Sequence, residues 1–220
     1  LPGYITAATD GIYYTTLVWL VKDSLANAQF PIWSNWGDMG FPLMQFYSPL
    51  FFVIVGLVNF IIPDIFLSIK FVFVVIHILS VFAMYIYVYH LTNSKSAGLV
   101  AAFTYGFAYY RYHMIIYVNK FTMAPTFLLL PLLLYFVDRI ICGHHVRKAG
   151  VSLALITAFG LMSHVFFGGY SMIFAVLYSV IRLCTVKKEF KFRKIFFTVL
   201  QASKKLGIWF VLGVMASLPF

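Results

Sequence analysis

Acidic side chains are scarce in this 220-residue chain: six Asp and Glu stand against 16 Lys and Arg. Charged residues of both signs make up only 10%. A soluble domain carries about 25%, so an ordinary soluble fold is excluded. Only two cysteines occur, Cys142 and Cys184. They do not make a disulfide framework, and they read as inert thiols at span ends rather than as acylation sites. The alternating pattern of a membrane β-barrel is missing. There is no glycine-rich phosphate loop, no nucleophile elbow and no zinc-ligand spacing. The adjacent His144 and His145 have no cysteine or carboxylate cluster beside them in the sequence, which makes a weak metal signal.

Apolar and aromatic residues are what is there. The chain is 63% hydrophobic and 20% aromatic, with a mean hydropathy of +0.94. A spanning helix needs about 20 apolar residues. Residues 65–90 and 122–141 meet that length, and 97–110 form a shorter run. Residues 150–183 are too long for one span, and Gly168-Gly169 is the expected turn between two short ones. A further span begins near Leu206. The sum is an all-α, polytopic transmembrane helical bundle. Residues 1–49 form a long extracytoplasmic loop, and residues 50–220 form an interfacial helix and about six transmembrane helices. The chain begins at Leu1 and ends in an apolar run, and reads as an excerpt of a longer protein.

The net charge of +10 is topological rather than nucleic-acid-binding. Half of the basic residues, from Arg182 to Lys205, crowd one connecting segment. By the positive-inside rule that segment is cytoplasmic, and it meets anionic headgroups there. No aromatic-basic platform for nucleic acid accompanies it. Counting spans back from it puts 143–149 and 91–96 inside, and 111–121 and Asp64 outside. The 13-residue run Leu50 to Ile62 suits an interfacial helix better than a span, which leaves residues 10–49 outside. Within that loop, Ile12 to Ala28 has apolar residues at three- and four-residue spacing and reads as an amphipathic helix. Trp19, Trp33 and Trp36 suit the headgroup level.

The outer face then gathers Asp10, Asp38, Arg111, His113, Asn119, Lys120 and His164. Arg111, His113 and Lys120 suit a phosphate, Arg through a bidentate fork and Lys as a point charge; interfacial anchoring is the alternative. Asp10 is a candidate general base and also a natural helix N-cap, two roles that are compatible. Asp38, in Gly37-Asp38-Met39-Gly40, is either a turn former or a substrate contact. Trp33, Trp36, Phe46 and Tyr47 are anchors or a stacking surface for a sugar ring. His164 reads as a packing histidine or a site residue, and mid-span His77 as packing.

Three stretches carry a likeness. They are Asp10-Gly11-Ile12-Tyr13-Tyr14, Ala28-Gln29-Phe30-Pro31-Ile32-Trp33, and Gly40-Phe41-Pro42-Leu43 to Tyr47-Ser48-Pro49-Leu50. In that order they resemble the first outer loop of GT-C type integral membrane glycosyltransferases. The nearest branch is the bacterial and archaeal membrane proteins labelled 6-pyruvoyl-tetrahydropterin synthase-related, similar to the YfhO-like proteins. Ala124-Pro125 to Leu130-Pro131-Leu132 and Leu161-Met162-Ser163-His164 resemble later spans of the same branch. No pterin chemistry is indicated by the residues.

The resemblance implies a GT-C-like fold with a catalytic outer loop in a prokaryotic plasma membrane. It implies a polyprenyl-phosphate-linked sugar as donor, an extracytoplasmic acceptor, and transfer with inversion. Asp10 takes the position of the family's loop aspartate, which acts as base or as ligand to Mg2+ or Mn2+. The family often has a second acidic residue near Asn119; here Tyr117-Val118-Asn119-Lys120 has none, so a two-carboxylate metal site requires Asp38 instead. Two other classes stay open. A transporter or flippase of lipid-linked molecules needs a midplane charge and broken helices. The sequence shows no repeat and almost no midplane charge apart from Lys70. A non-catalytic assembly factor needs only the fold.

Overall fold

The computed structural model describes residues 11–35, 40–42, 44, 47–187 and 192–218. Asp10, Asp38, Trp36 and Phe46 lie outside the described residues. The fold is all-α apart from one tiny hairpin. The helices are α1 (Gly11–Ala26), α2 (Leu50–Asn59), α3 (Ile65–Thr92), α4 (Lys95–Gly106), α5 (Tyr109–Tyr112), α6 (Ala124–Ile141), α7 (Val146–Ser163), α8 (Val165–Lys187) and α9 (Phe192–Ser217). A π turn (His113–Tyr117) and a 3-10 turn (Phe121–Met123) join α5 to α6. Strands β1 (Trp33–Ser34) and β2 (Phe41–Pro42) pair antiparallel, Trp33 opposite Pro42.

Among the described residues, four helical segments are long and apolar enough to cross a bilayer: Ile65–Thr92, Phe121–Ile141, Val146–Ser163 and Val165–Thr185. This is a multi-pass membrane architecture, with fewer full-length spans among the described residues than the roughly six expected. The difference sits in two places. The run 97–110 breaks after the 12-residue α4, which rises only about 18 Å. In α9 the apolar part is confined to Leu206–Ser217.

Local chemistry sets the helix ends. The Asp64 side chain accepts from Leu67 N–H at 2.8 Å and starts α3. Asn93, at φ 53°, closes it, in the left-handed conformation that asparagine tolerates best among side-chain-bearing residues. Ser94 then caps α4 through Ala97 N–H at 3.3 Å. Inside α6, Pro131 has no N–H for the Phe127 carbonyl. The Tyr105 hydroxyl donates to that carbonyl at 2.6 Å, so the gap in the α6 ladder becomes a tie to α4.

The turn between α7 and α8 lies at His164, not at Gly168-Gly169 as the sequence suggested. His164 is extended (φ −161°, ψ 107°), and α8 runs straight through both glycines. Gly168 serves packing instead: a Cβ there would lie 2.8 Å from the Gly160 carbonyl carbon of α7. Small residues at such crossings let membrane helices approach closely. Gly150 likewise lies under the Trp209 ring, and Gly213 over Ala154, which seats α9 on α7.

Two apolar cores result. One unites α1, α2, the first half of α3 and the start of α6 through Leu17, Val18, Val21, Phe51, Phe52, Val55, Ile69 and Phe121. Of the spaced apolar set Leu17, Leu20, Val21, Leu25 and Ala28, the first three are buried on α1 and Leu25 is half-buried, whereas Ala28 is exposed beyond the helix; Tyr14 and Val18 complete the buried face. The other core joins α6, α7, α8 and α9 through Val137, Ile140, Leu153, Ala175, Leu183 and Leu206. Helix α2 has 10 residues, half of what a span needs. Its Phe51 stacks on Phe121, in the 3-10 turn just before α6. At its other end Asn59 Nδ2 donates to Ser68 Oγ, one turn into α3.

Candidate functional site

Three of the residues singled out from sequence converge. Tyr47, Lys120 and His164 line one cavity of about 420 Å³, together with Tyr14, Ser48, Thr122, Val165 and Phe166. The floor is aromatic: Tyr47 meets Tyr14 edge-on at 5.6 Å, and Tyr14 meets Phe52 at 5.3 Å. The polar wall is made by two irregular segments. One is the link from the π turn to the 3-10 turn, which holds Lys120 through its N–H to the Met114 carbonyl at 3.0 Å. The other is the His164 corner, tied to the first by Ser163 Oγ donating to the Thr122 carbonyl at 2.7 Å.

His164 is the most informative member. Its Nδ1 is buried and has no hydrogen-bond partner among the described residues. An unpaired buried ring nitrogen costs about 1–3 kcal/mol, and the fold carries that cost at this corner, where other atoms of the His164 ring line the cavity. Burial, and next the nearby Lys120, lower the His164 pKa below its ordinary value. The ring is therefore neutral at pH 7, with one nitrogen able to accept and the other to donate.

The remaining sequence candidates lie elsewhere. The sequence pattern puts Arg111 on the outer face, yet its side chain is 4% exposed and points into the bundle. Nη1 donates to the Tyr105 carbonyl at 2.9 Å, and Nη2 to Ser80 Oγ at 2.6 Å and His77 Nδ1 at 3.4 Å. Its guanidinium also stacks over Tyr105 and Phe127. Ser80 is near the middle of α3, so the chain does carry a charge at mid-depth that the sequence did not suggest. The physical cause is the break after Gly106. The end of α4 leaves carbonyls without partners in apolar surroundings, and Arg111 answers one of them.

Asn119 is buried at φ 56°. Asparagine is favoured at such a corner, where a left-handed residue is needed. His113 stacks between Tyr109 and Tyr117, away from the cavity. Trp33 packs over Gly40 and donates to Asn35 Oδ1 at 3.1 Å. The described lining holds no carboxylate and does hold the Lys120 ammonium. It does not suit Mg2+ or Mn2+, which take oxygen-rich, anionic donor sets. No three metal-ligating side chains cluster among the described residues.

A second polar centre has no motif in the sequence. Asp138, 1% exposed, accepts from Arg182 Nε at 2.6 Å, His90 Nε2 at 3.0 Å and the Tyr178 hydroxyl at 3.0 Å. It thereby ties α3, α6 and α8 at the ends opposite the cavity. Its signal in the sequence was that it is the lone carboxylate within the long apolar helices. Arg182, read as part of the basic segment, is neutralised here. Cys142 lies at 3.7 Å from the same carboxylate. Burial first, then Asp138, raise its thiol pKa, which leaves it unreactive.

No family model, curated protein or solved structure matches this chain.

Proposed function

We propose that the chain is a membrane glycosyltransferase that moves a sugar from a polyprenyl-phosphate carrier to a hydroxyl on the extracytoplasmic side. The cavity of Tyr14, Tyr47, Lys120 and His164 supports this reading best. It joins a cation, a neutral imidazole and two aromatic rings at the bundle end opposite the Asp138 cluster. In the proposed step the acceptor oxygen attacks the anomeric carbon while the bond from that carbon to the phosphate oxygen breaks. The acceptor proton goes to the Asp10 carboxylate, one residue before α1 in the sequence. Polyprenyl phosphate leaves as an anion opposite the Lys120 ammonium. The Tyr14 and Tyr47 rings offer apolar faces to the sugar. A single displacement inverts the anomeric centre.

The test is sugar transfer by the full chain in proteoliposomes supplied with polyprenyl-phosphate hexoses and pentoses. Asp10→Asn is expected to lose about 10²- to 10⁴-fold in rate, the usual worth of a general base. Lys120→Ala is expected to lose about 10²- to 10³-fold. Full activity in a folded Asp10→Asn variant would sink the proposal.

One observation favours the transporter or flippase reading. Arg111 at mid-depth beside the interrupted α4 is the kind of intramembrane charge that marks substrate pathways. The bonds that Arg111 makes to Tyr105, Ser80 and His77 give it a structural role without any substrate. Flipping of a fluorescent polyprenyl-phosphate lipid that stops in Arg111→Gln, with no sugar transfer by the parent chain, would select the transporter.

A further inference from the structure

A second cavity lies at the far end of the bundle from the first. It is small, about 120 Å³, and is lined by Phe136, Arg139, His145, Lys148, Ala149 and Ser152. That space equals about four water volumes, room for the five heavy atoms of a phosphate group. Two full positive charges face it, and neither has a carboxylate among the described residues. Both ion pairs found there end on Asp138. Arg139 is held in place by one bond, Nη1 to the Tyr135 hydroxyl at 3.1 Å.

The backbone adds to this. His145 immediately precedes helix α7; its φ of 47° and ψ of 47° are left-handed, and no side chain caps the helix. Helices α3 and α4 are capped by Asp64 and Ser94. The first-turn N–H groups of α7 are therefore left for an external acceptor. The terminal carbonyl region of α6, which would repel an anion, is closed by His144 N–H donating to the Arg139 carbonyl at 2.8 Å. Phe136 forms the side of the cavity toward the span, and Val151 and Leu155 are exposed on α7. An acyl chain thus has an apolar path beside the charged pocket.

We propose that this cavity binds a phosphate group, in the membrane the phosphate of an acidic phospholipid. Arg139 and Lys148 supply the charge. The His145 ring N–H, the Ser152 hydroxyl and the open α7 amides supply hydrogen bonds. Basic pockets between helices at a membrane surface hold acidic headgroups in this way.

The test is native mass spectrometry of the full chain in detergent, titrated with phosphatidylglycerol or with phosphatidylcholine of the same acyl chains. The same experiment is run with inorganic phosphate as competitor. The parent chain is expected to retain phosphatidylglycerol at least tenfold more tightly than phosphatidylcholine. Arg139→Gln with Lys148→Gln is expected to weaken it about thirtyfold, the worth of two basic groups near the surface. Lys148→Gln alone, at an exposed position that does not endanger folding, takes about a fivefold share. Arg147→Gln, the same charge change one residue away, leaves binding unchanged. Displacement by millimolar inorganic phosphate, with no preference between the lipids, would keep the phosphate site and assign it to a soluble anion. Equal loss in Arg147→Gln, or no loss in the double variant, would overturn the proposal.

Discussion

Replacing Asp138 with alanine removes the one acceptor shared by Arg182, His90 and Tyr178. Each bond to an ionised group is worth about 1.5–3 kcal/mol when both partners are held. Simple addition overstates the loss. The Arg182 and His90 side chains are 29% and 28% exposed, so both can turn toward water or headgroups and recover part of it. The Tyr178 hydroxyl is left inside. Breaking a buried pair by removing one partner costs about 3–5 kcal/mol, and the exposure of Arg182 places this case near 3 kcal/mol. For a chain of this size 1 kcal/mol moves the midpoint by about 2–4 °C, so the expected fall in Tm is about 6–12 °C. Asp138→Asn keeps one acceptor oxygen and is expected to fall about half as far. The assay is thermal unfolding of the full chain in mild detergent, followed by intrinsic fluorescence. In the double variant with Arg182→Ala, the loss is expected to be smaller than the sum of the singles by about 1 kcal/mol or more. A Tm for Asp138→Ala within about 2 °C of the parent would refute the claim that this carboxylate ties the three helices.

Three further outcomes are expected. Gly168→Ala should cost about 1–3 kcal/mol because its Cβ meets the α7 backbone, whereas Gly169→Ala, with nothing within 4 Å, should be neutral or gain up to about 1 kcal/mol; thermal midpoints of the pair decide. Tyr105→Phe should cost about 1–3 kcal/mol by leaving the Phe127 carbonyl without a donor, and a variant as stable as the parent would contradict that bond. His164 is lowered by burial and then by Lys120, so the unfolded chain binds the extra proton first as pH falls. Its stability contribution is full above the unfolded pKa of about 6.5 and is lost as pH drops through the lower folded value. His164→Gln should flatten that acid loss, and an unchanged pH profile would count against it.

Much of this architecture is legible in the sequence because burial in lipid demands long apolar runs, and these are visible without any structure. The amphipathic spacing of α1 and the short length of α2 come through for the same reason. What the sequence hides is whatever depends on depth and approach. Gly168-Gly169 looks like a turn because glycine is permissive, yet the same missing Cβ is needed for a close helix crossing, and one dimension does not separate the two. Arg111 looks like an outer anchor because it follows an apolar run. Only the break of α4 turns it inward to a free carbonyl. Asp138 looks like a span end until His90, 48 residues away, and Arg182, 44 residues away, arrive beside it. At the candidate site, Tyr47, Lys120 and His164 were found because each is a polar or aromatic residue at a loop boundary. Tyr14 and Thr122 were missed because a helix face and a buried turn conceal them.

The most direct test of the central claim, that the Lys120–His164 cavity opens on the extracytoplasmic face, is thiol labelling in intact cells. Two reporters are placed singly in a chain with Cys142 and Cys184 replaced by serine: Ser48→Cys in the cavity wall, and His144→Cys in the exposed loop before α7. An impermeant maleimide is expected to label Ser48→Cys at once and to reach His144→Cys only after the membrane is permeabilised. Protection of Ser48→Cys with free labelling of His144→Cys would turn the bundle over. It would put the cavity in the cytoplasm and contradict transfer from a lipid-linked donor on the outer face.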